Sequence, residues 1–135
     1  MTDITPRVTT LVIDCADLDV MAAFWGGLLG MKPTGREEDW LDLEPLAGNG
    51  PASGGGTTPH APRNGPVLAF QRVLEGKTAK NRLHLDLDVP DIHAAGERAR
   101  RLGATPAGEP MGDPRTPFQV WYDPEGNEFC FCTAR

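Results

Sequence analysis

Between residues 82 and 91 the chain reads RLHLDLDVPD, and apolar and polar residues alternate without a break. Successive side chains of a strand point to opposite faces. Leu83, Leu85, Leu87 and Val89 therefore share one face, and Arg82, His84, Asp86 and Asp88 the other. The same phase recurs in TLVIDCAD at 10–17, and laying it over HLDLDVPD at 84–91 aligns one leucine and two aspartates, with Thr10 over His84. Each strand leads into a helical pattern ending in Leu-Gly, LDVMAAFWGGLLG and IHAAGERARRLG. Leu18, Met21, Trp25 and Leu28 form one apolar stripe. Ile92, Ala95, Ala99 and Leu102 form the other, leaving Arg98, Arg100 and Arg101 to solvent. Asp17 and Asp91 are placed to accept from first-turn amides as N-caps. Gly30 and Gly103 suit the left-handed residue that closes a helix. Gly26 and Gly27 each weaken the first helix by roughly 1 kcal/mol relative to alanine, which close packing would explain.

Short extended segments follow each helix. They are MKPTGR, DWLDLE and PVLAFQRV in the first half, and ATPAGE, PFQVWYD and EFCFC in the second. The turn DPEG at 123–126 separates the last two, with proline suited to the second turn position. The pattern is strand-helix-strand-strand-strand, twice. Module one spans 1–75, a connector 76–81, and module two 82–135. The segment 46–66, LAGNGPASGGGTTPHAPRNGP, breaks the symmetry because it has almost nothing to bury. It is expected to be a long mobile loop within module one, either a plain insertion or a lid. His60 and Arg63 lie in it and receive no role.

At 135 residues the chain is expected to form a single domain. A net charge of −6 leaves no basic surplus to neutralise phosphates, so no nucleic-acid partner is expected. The short basic cluster of Lys77, Lys80 and Arg82 reads as a solvated linker. No run approaches the roughly 18 apolar residues that span a bilayer, and the start, MTDITPRVTT, lacks a secretory pattern. No membrane partner and a cytoplasmic location are expected. The three cysteines form no CxxC; Cys130 and Cys132 share a strand face and read as reduced thiols.

With VIDCADLDVMAAFWGGLLGM and DPEGNEFCF at corresponding places, and AFQRV…NRLHLDL between them, the chain resembles the vicinal oxygen chelate superfamily. Within it the likeness is to small glyoxalase-like and bleomycin-resistance-like proteins. The resemblance implies an α+β fold of two tandem βαβββ modules forming an open eight-stranded U-shaped cleft, with the helices outside. It also implies a homodimer. In metal-dependent members four cleft side chains, usually His or Gln and Glu, hold a divalent ion. They come from the first and last strands of each module. The ion takes two substrate oxygens and stabilises an enolate-like anion as a Lewis acid.

Carried onto this chain, those positions are Thr10, Gln71 or Ala69, His84 and Cys130. Only His84 is a ligand of the family's type, and Cys130 stands where metal-dependent members have glutamate. Mg, Mn, Ni and Fe want several carboxylate and imidazole donors, so no cofactor is expected to be required. If a divalent metal does bind, His84 with Gln71 and Cys130 would hold it. His84 and Cys130 suit zinc if two further ligands join them, and Asp86 and Cys132 face the same way.

Without a metal, His84 can serve as a general acid or base oriented by Asp86 or Asp88, with adjacent same-face residues such as His84 and Asp86 about 7 Å apart at the backbone. Cys130 reads as a small buried thiol, and as a nucleophile only beside a cation. Trp40 shares a face with Asp42 and Glu44, and Trp121 with Gln119. An indole in a concave wall offers stacking area and one N–H donor to a flat organic ligand. Trp25 goes to the core. The expected ligand-binding set is Thr10, Trp40, Gln71, His84, Asp86, Trp121 and Cys130 around a small organic molecule. That molecule would be sequestered, or would undergo lyase- or isomerase-like acid–base chemistry at His84. The alternatives are a divalent-metal lyase, isomerase or dioxygenase, and a non-catalytic scaffold.

Overall fold

The two aspartates and two glycines that punctuate the repeat act as their positions predict. Asp17 accepts from the amides of Asp19 and Val20, and Asp91 from those of His93 and Ala94. Gly30 and Gly103 both adopt positive φ, 68° and 116°, where a side chain would be strained. These caps bound α1 (Leu18–Leu29) and α2 (Ile92–Leu102) in a computed structural model that describes residues 4–46 and 65–133. Around them run β1 (Thr10–Cys15), β2 (Pro33–Glu37), β3 (Trp40–Pro45) and β4 (Val67–Arg72) in the first module. The second holds β5 (Leu85–Val89), β6 (Thr105–Pro106), β7 (Phe118–Tyr122) and β8 (Glu128–Thr133).

Each module forms one four-stranded sheet, in the orders β1-β4-β3-β2 and β5-β8-β7-β6. The first strand of each lies parallel to the last, and the other pairings are antiparallel. The fold is α+β, two tandem βαβββ modules whose sheets stay open. β6 is only two residues long where ATPAGE predicts a fuller strand, and Pro106 within it has no N–H to give.

Alternation along the strands decides which residues meet the helices. Leu11, Ile13 and Cys15 of β1, Leu41 and Leu43 of β3, and Leu68 and Phe70 of β4 join the core with Leu18, Met21, Phe24 and Trp25. Leu85, Leu87 and Val89 pack against it from β5 as expected. Leu83 does not: it is 88% exposed, because it and His84 precede the first paired residue of β5. The helix glycines mark close approaches. A Cβ at Gly26 would come within 2.7 Å of the Met31 carbonyl oxygen, and one at Gly27 within 3.2 Å of Leu102. Arg98 of α2, exposed as expected, donates to the Gly27 and Leu28 carbonyls at the same crossing.

The modules interlock through α1 and the DPEG turn. Phe129 of β8 meets Trp25 edge-on at 5.1 Å between ring centroids and Phe24 at 5.9 Å. The Trp25 indole donates to Asp123 at 3.1 Å, and Glu125 accepts from the Ala16 and Asp17 amides. The linker cations are exposed, but the connector is anchored, since Lys80 and the Asn81 amide both bind the Glu128 carboxylate. The expected loop over 46–66 falls almost wholly on 47–64, outside the described residues. Its ends are joined, with the Leu46 amide on the Pro66 carbonyl at 2.8 Å and the Gly65 amide on the Leu46 carbonyl. Among the described residues no helix is long and apolar enough to cross a membrane.

Candidate functional site

Residues out of phase with the core turn to the helix-free face of each sheet. On the first sheet these include Val12, Asp14, Trp40, Asp42, Ala69 and Gln71; on the second, Asp86, Asp88, Cys130, Cys132, Phe118 and Val120. Ala69 and Cys130 are buried, yet both lie outside the helix-packed core cluster.

Two cavities open beside these residues. The larger, about 480 Å³, lies where the edge strands β1 and β5 face each other. Every residue of β1, of both phases, lines it together with Trp25 and Leu68, and from the second module Leu83, His84, Leu85, Glu125 and Asn127 do so. The second, about 370 Å³, lies on the second sheet among His84, Asp86, Cys130, Cys132, Phe118 and Val120. His84 borders both.

The structure thus brings Thr10 and His84 to one cavity, and His84, Asp86 and Cys130 to the other. His84 Nε2 lies 3.1 Å from Asp86 Oδ1, with the two side chains 54% and 61% exposed. Trp40 and Gln71 are register partners on the first sheet, where the Trp40 indole donates to Asp42 at 2.8 Å. They line neither cavity.

Trp121 is on the opposite side from the one expected. It is 2% exposed, belongs to the core, and packs under α2 against Gly96 and Phe131. The reason is register: Trp121 pairs with Phe129 and Gln119 with Phe131, and both phenylalanines face the helices. The other phase of PFQVWYD, Phe118 and Val120, faces the cavity. Sequence reasoning chose the indole for its chemistry and so took the wrong phase. Reading β7 against EFCFC, in which phenylalanines and cysteines alternate, gives the right one.

Glu128 was also missed, and it touches both cavities. Burial works against its charge. Hydrogen bonds from Lys80 and the Asn81 amide, with the nearby charges of Lys80 and Lys77, outweigh that and hold the carboxyl below its ordinary range.

Burial, then a hydrogen bond and charge from Cys132 and the charge of Asp86, push the Cys130 thiol up to about 12. Burial and the neighbouring Glu125 carboxylate push Cys15 up to about 11. Both thiols ionise in the unfolded chain from near pH 9, while the folded chain keeps them protonated. The unfolded state then holds fewer protons, so stability falls as pH rises from about 9 towards 12. Urea midpoints measured across that range are expected to drop, and to drop less steeply in Cys15→Ala. An identical pH dependence in that variant would refute the assignment for Cys15.

The positions inherited from the family do not fit its metal. Thr10, Gln71, His84 and Cys130 offer a hydroxyl, a neutral amide, one imidazole and one thiol, with no carboxylate for a hard divalent ion. Among the described residues, the His, Cys, Asp and Glu donors that come together in a group of three or more are Asp86, Cys130 and Cys132, without His84.

Solved structures share this architecture. A glyoxalase-related enzyme from Fulvimarina pelagi superposes with a TM-score of 0.68 at 17% identity, covering 96% of this chain and 89% of its own. A glyoxalase/bleomycin resistance protein/dioxygenase family enzyme from Burkholderia phytofirmans PsJN gives 0.68 at 18% identity, covering 94% and 98%. The fosfomycin resistance protein FosX from Mesorhizobium loti gives 0.63 at 13% identity, covering 99% and 95%. Comparison with curated protein sequences finds no match. The model of the glyoxalase-like domain matches residues 10–132, from the first residue of β1 almost to the end of β8, and the chain therefore belongs to that family of the vicinal oxygen chelate superfamily.

Proposed function

We propose that the protein binds a small organic molecule in the cavity between β1 and β5, without an obligatory ion of the family's oxygen-donor type. The observation that carries this reading is the cavity itself, about 480 Å³ and lined from both modules. That volume is in the range of small-molecule sites, which combine apolar walls with a few placed polar groups. Leu11, Val12, Ile13, Leu68 and Leu85 supply apolar surface, and Thr10 and His84 are among the hydrogen-bonding groups. Asp86 holds the His84 imidazole from the neighbouring cavity. A ligand proton within reach of His84 can then be taken up or returned, which is the chemistry available to the cavity if the bound molecule is turned over.

Native mass spectrometry of freshly purified protein is expected to show a retained small molecule. A thermal-shift panel of small aromatic and oxyanion-bearing metabolites is expected to contain members that raise the midpoint by mass action. His84→Ala is expected to weaken such a ligand about tenfold, the worth of one good hydrogen bond. Trp121→Phe, on the helix side, is expected to leave the affinity unchanged. No retained mass together with an unmoved midpoint across the panel would overturn the reading.

A further inference from the structure

Two thiols and a carboxylate converge on the helix-free face of the second module. β5 and β8 run parallel with Asp86 directly opposite Cys130, and Cys132 is the next residue of β8 on that face. The two sulfurs lie 3.8 Å apart, and the donor atoms of Asp86, Cys130 and Cys132 all fall within 4.8 Å of one another. We propose that these three side chains form a binding site for a thiophilic divalent ion of the zinc class, with a fourth coordination position open to the 370 Å³ cavity.

The donor set and its spacing carry the argument. Zinc bonds thiolate sulfur at about 2.3 Å, so two sulfurs at adjacent corners of a tetrahedron lie about 3.8 Å apart, the separation seen here. Two sulfurs among three donors select soft ions over Mg or Ca. Binding of the ion displaces the thiol protons, and the resulting thiolates with the Asp86 carboxylate form a set whose charge a dication offsets. His84 sits 3.1 Å from Asp86 and acts as the outer partner that fixes the carboxylate. Cys130 is 5% exposed, whereas Cys132 is half-buried and Asp86 exposed, so an ion enters from their side. Phe118 and Val120 wall the open position with apolar surface.

This site differs from the family's arrangement, which draws ligands from both modules and shares only Cys130 with it among the donors. It does not rest on the proposed organic ligand either, because Asp86, Cys130 and Cys132 do not line the cavity between β1 and β5.

The test is a titration of the reduced, full-length chain with Co2+, followed by displacement with Zn2+. One cobalt per chain is expected, with thiolate-to-cobalt charge transfer in the near ultraviolet and the intense visible bands of a tetrahedral site, lost when zinc is added. Cys132→Ser should roughly halve the charge transfer and weaken binding roughly 100-fold or more, beyond the 10- to 100-fold usual for an outer partner. Asp86→Asn should weaken binding at least about tenfold with the charge transfer retained, and His84→Ala about tenfold. Cys15→Ser should change neither quantity. Cys132 and Asp86 lie outside the core cluster, and far-ultraviolet circular dichroism checks that their variants fold. If Cys132→Ser fails that check, Asp86→Asn decides. Absence of charge transfer at large cobalt excess would overturn the site. So would titrations unaltered in these variants, or displacement by Mg2+ as effective as by Zn2+.

Discussion

Asp123→Ala is expected to lower the stability of the fold by about 4 kcal/mol, the upper end of what single substitutions do. Asp123 is 3% exposed, and its carboxylate is the hub of the DPEGN turn. One oxygen accepts from the Glu125 amide at 2.9 Å and the Asn127 amide at 3.0 Å. The Asn127 side-chain amide reaches both oxygens, and the Trp25 indole donates to the second at 3.1 Å. Alanine leaves the indole N–H buried without an acceptor and removes the anchor of two turn amides. Each buried donor stranded in this way costs about 1–3 kcal/mol. Damage would spread, because the turn also carries Glu125, whose carboxylate holds the Ala16 and Asp17 amides at the start of α1. Urea unfolding followed by tryptophan fluorescence measures the loss. Asp123→Asn, which keeps one acceptor oxygen but turns its NH2 towards another donor, should fall between the two. A loss under about 1 kcal/mol for alanine would mean that the turn does not hold the modules together.

The same contact links fold to site. Glu125, Asn127 and Trp25 all line the cavity between β1 and β5. A loosened turn therefore changes the shape of the proposed ligand site although Asp123 does not line it.

The helices were legible because their information is local. Asp17, Gly30, Asp91 and Gly103 act within a turn of their own positions, and the apolar stripes need only the helical period. The two modules were legible because the repeat restates the pattern; Thr10 and His84, equivalent positions in it, both line the cavity between β1 and β5. What stayed hidden depends on strand order and register. Trp121 could be given a phase only by pairing β7 with β8, and Asp86 meets Cys130 only through a parallel pairing of segments far apart in the chain. The shared faces of His84 with Asp86, and of Cys130 with Cys132, were read correctly, but nothing local to either strand set them side by side. Leu83 fell out of the core for a related reason. The alternation runs on past the point where β5 has a partner, and periodicity does not show where pairing begins.

Gly96 is the clearest case of a residue whose role is invisible along the chain, and Gly96→Ala is expected to destabilise the protein by about 2 kcal/mol. In an isolated helix that change is worth about 1 kcal/mol in the opposite direction. Here an added Cβ would lie 2.6 Å from Trp121 Cζ2 and 3.3 Å from Cη2. The indole is rigid and pinned, edge-on to Phe131 at 6.2 Å and beneath the Arg100 guanidinium at 5.4 Å. Relief must come from lifting α2 off β8, which exposes Ile92 and Ala99, residues now buried in the core. Gly27→Ala is the control: its Cβ would meet only the flexible end of Leu102, at 3.2 Å, so propensity and crowding should nearly cancel. Trp121→Phe should relieve the clash at Gly96. It also removes an indole nitrogen that is buried without a hydrogen-bond partner among the described residues. The double variant is therefore expected to be more stable than the sum of the single losses by about 1–2 kcal/mol, read from urea midpoints in a double-mutant cycle. Strict additivity would show that the Trp121 ring is not the obstacle. Ligand affinity at the β1–β5 cavity should be unmoved by Trp121→Phe, because that indole packs under α2 and does not line the cavity.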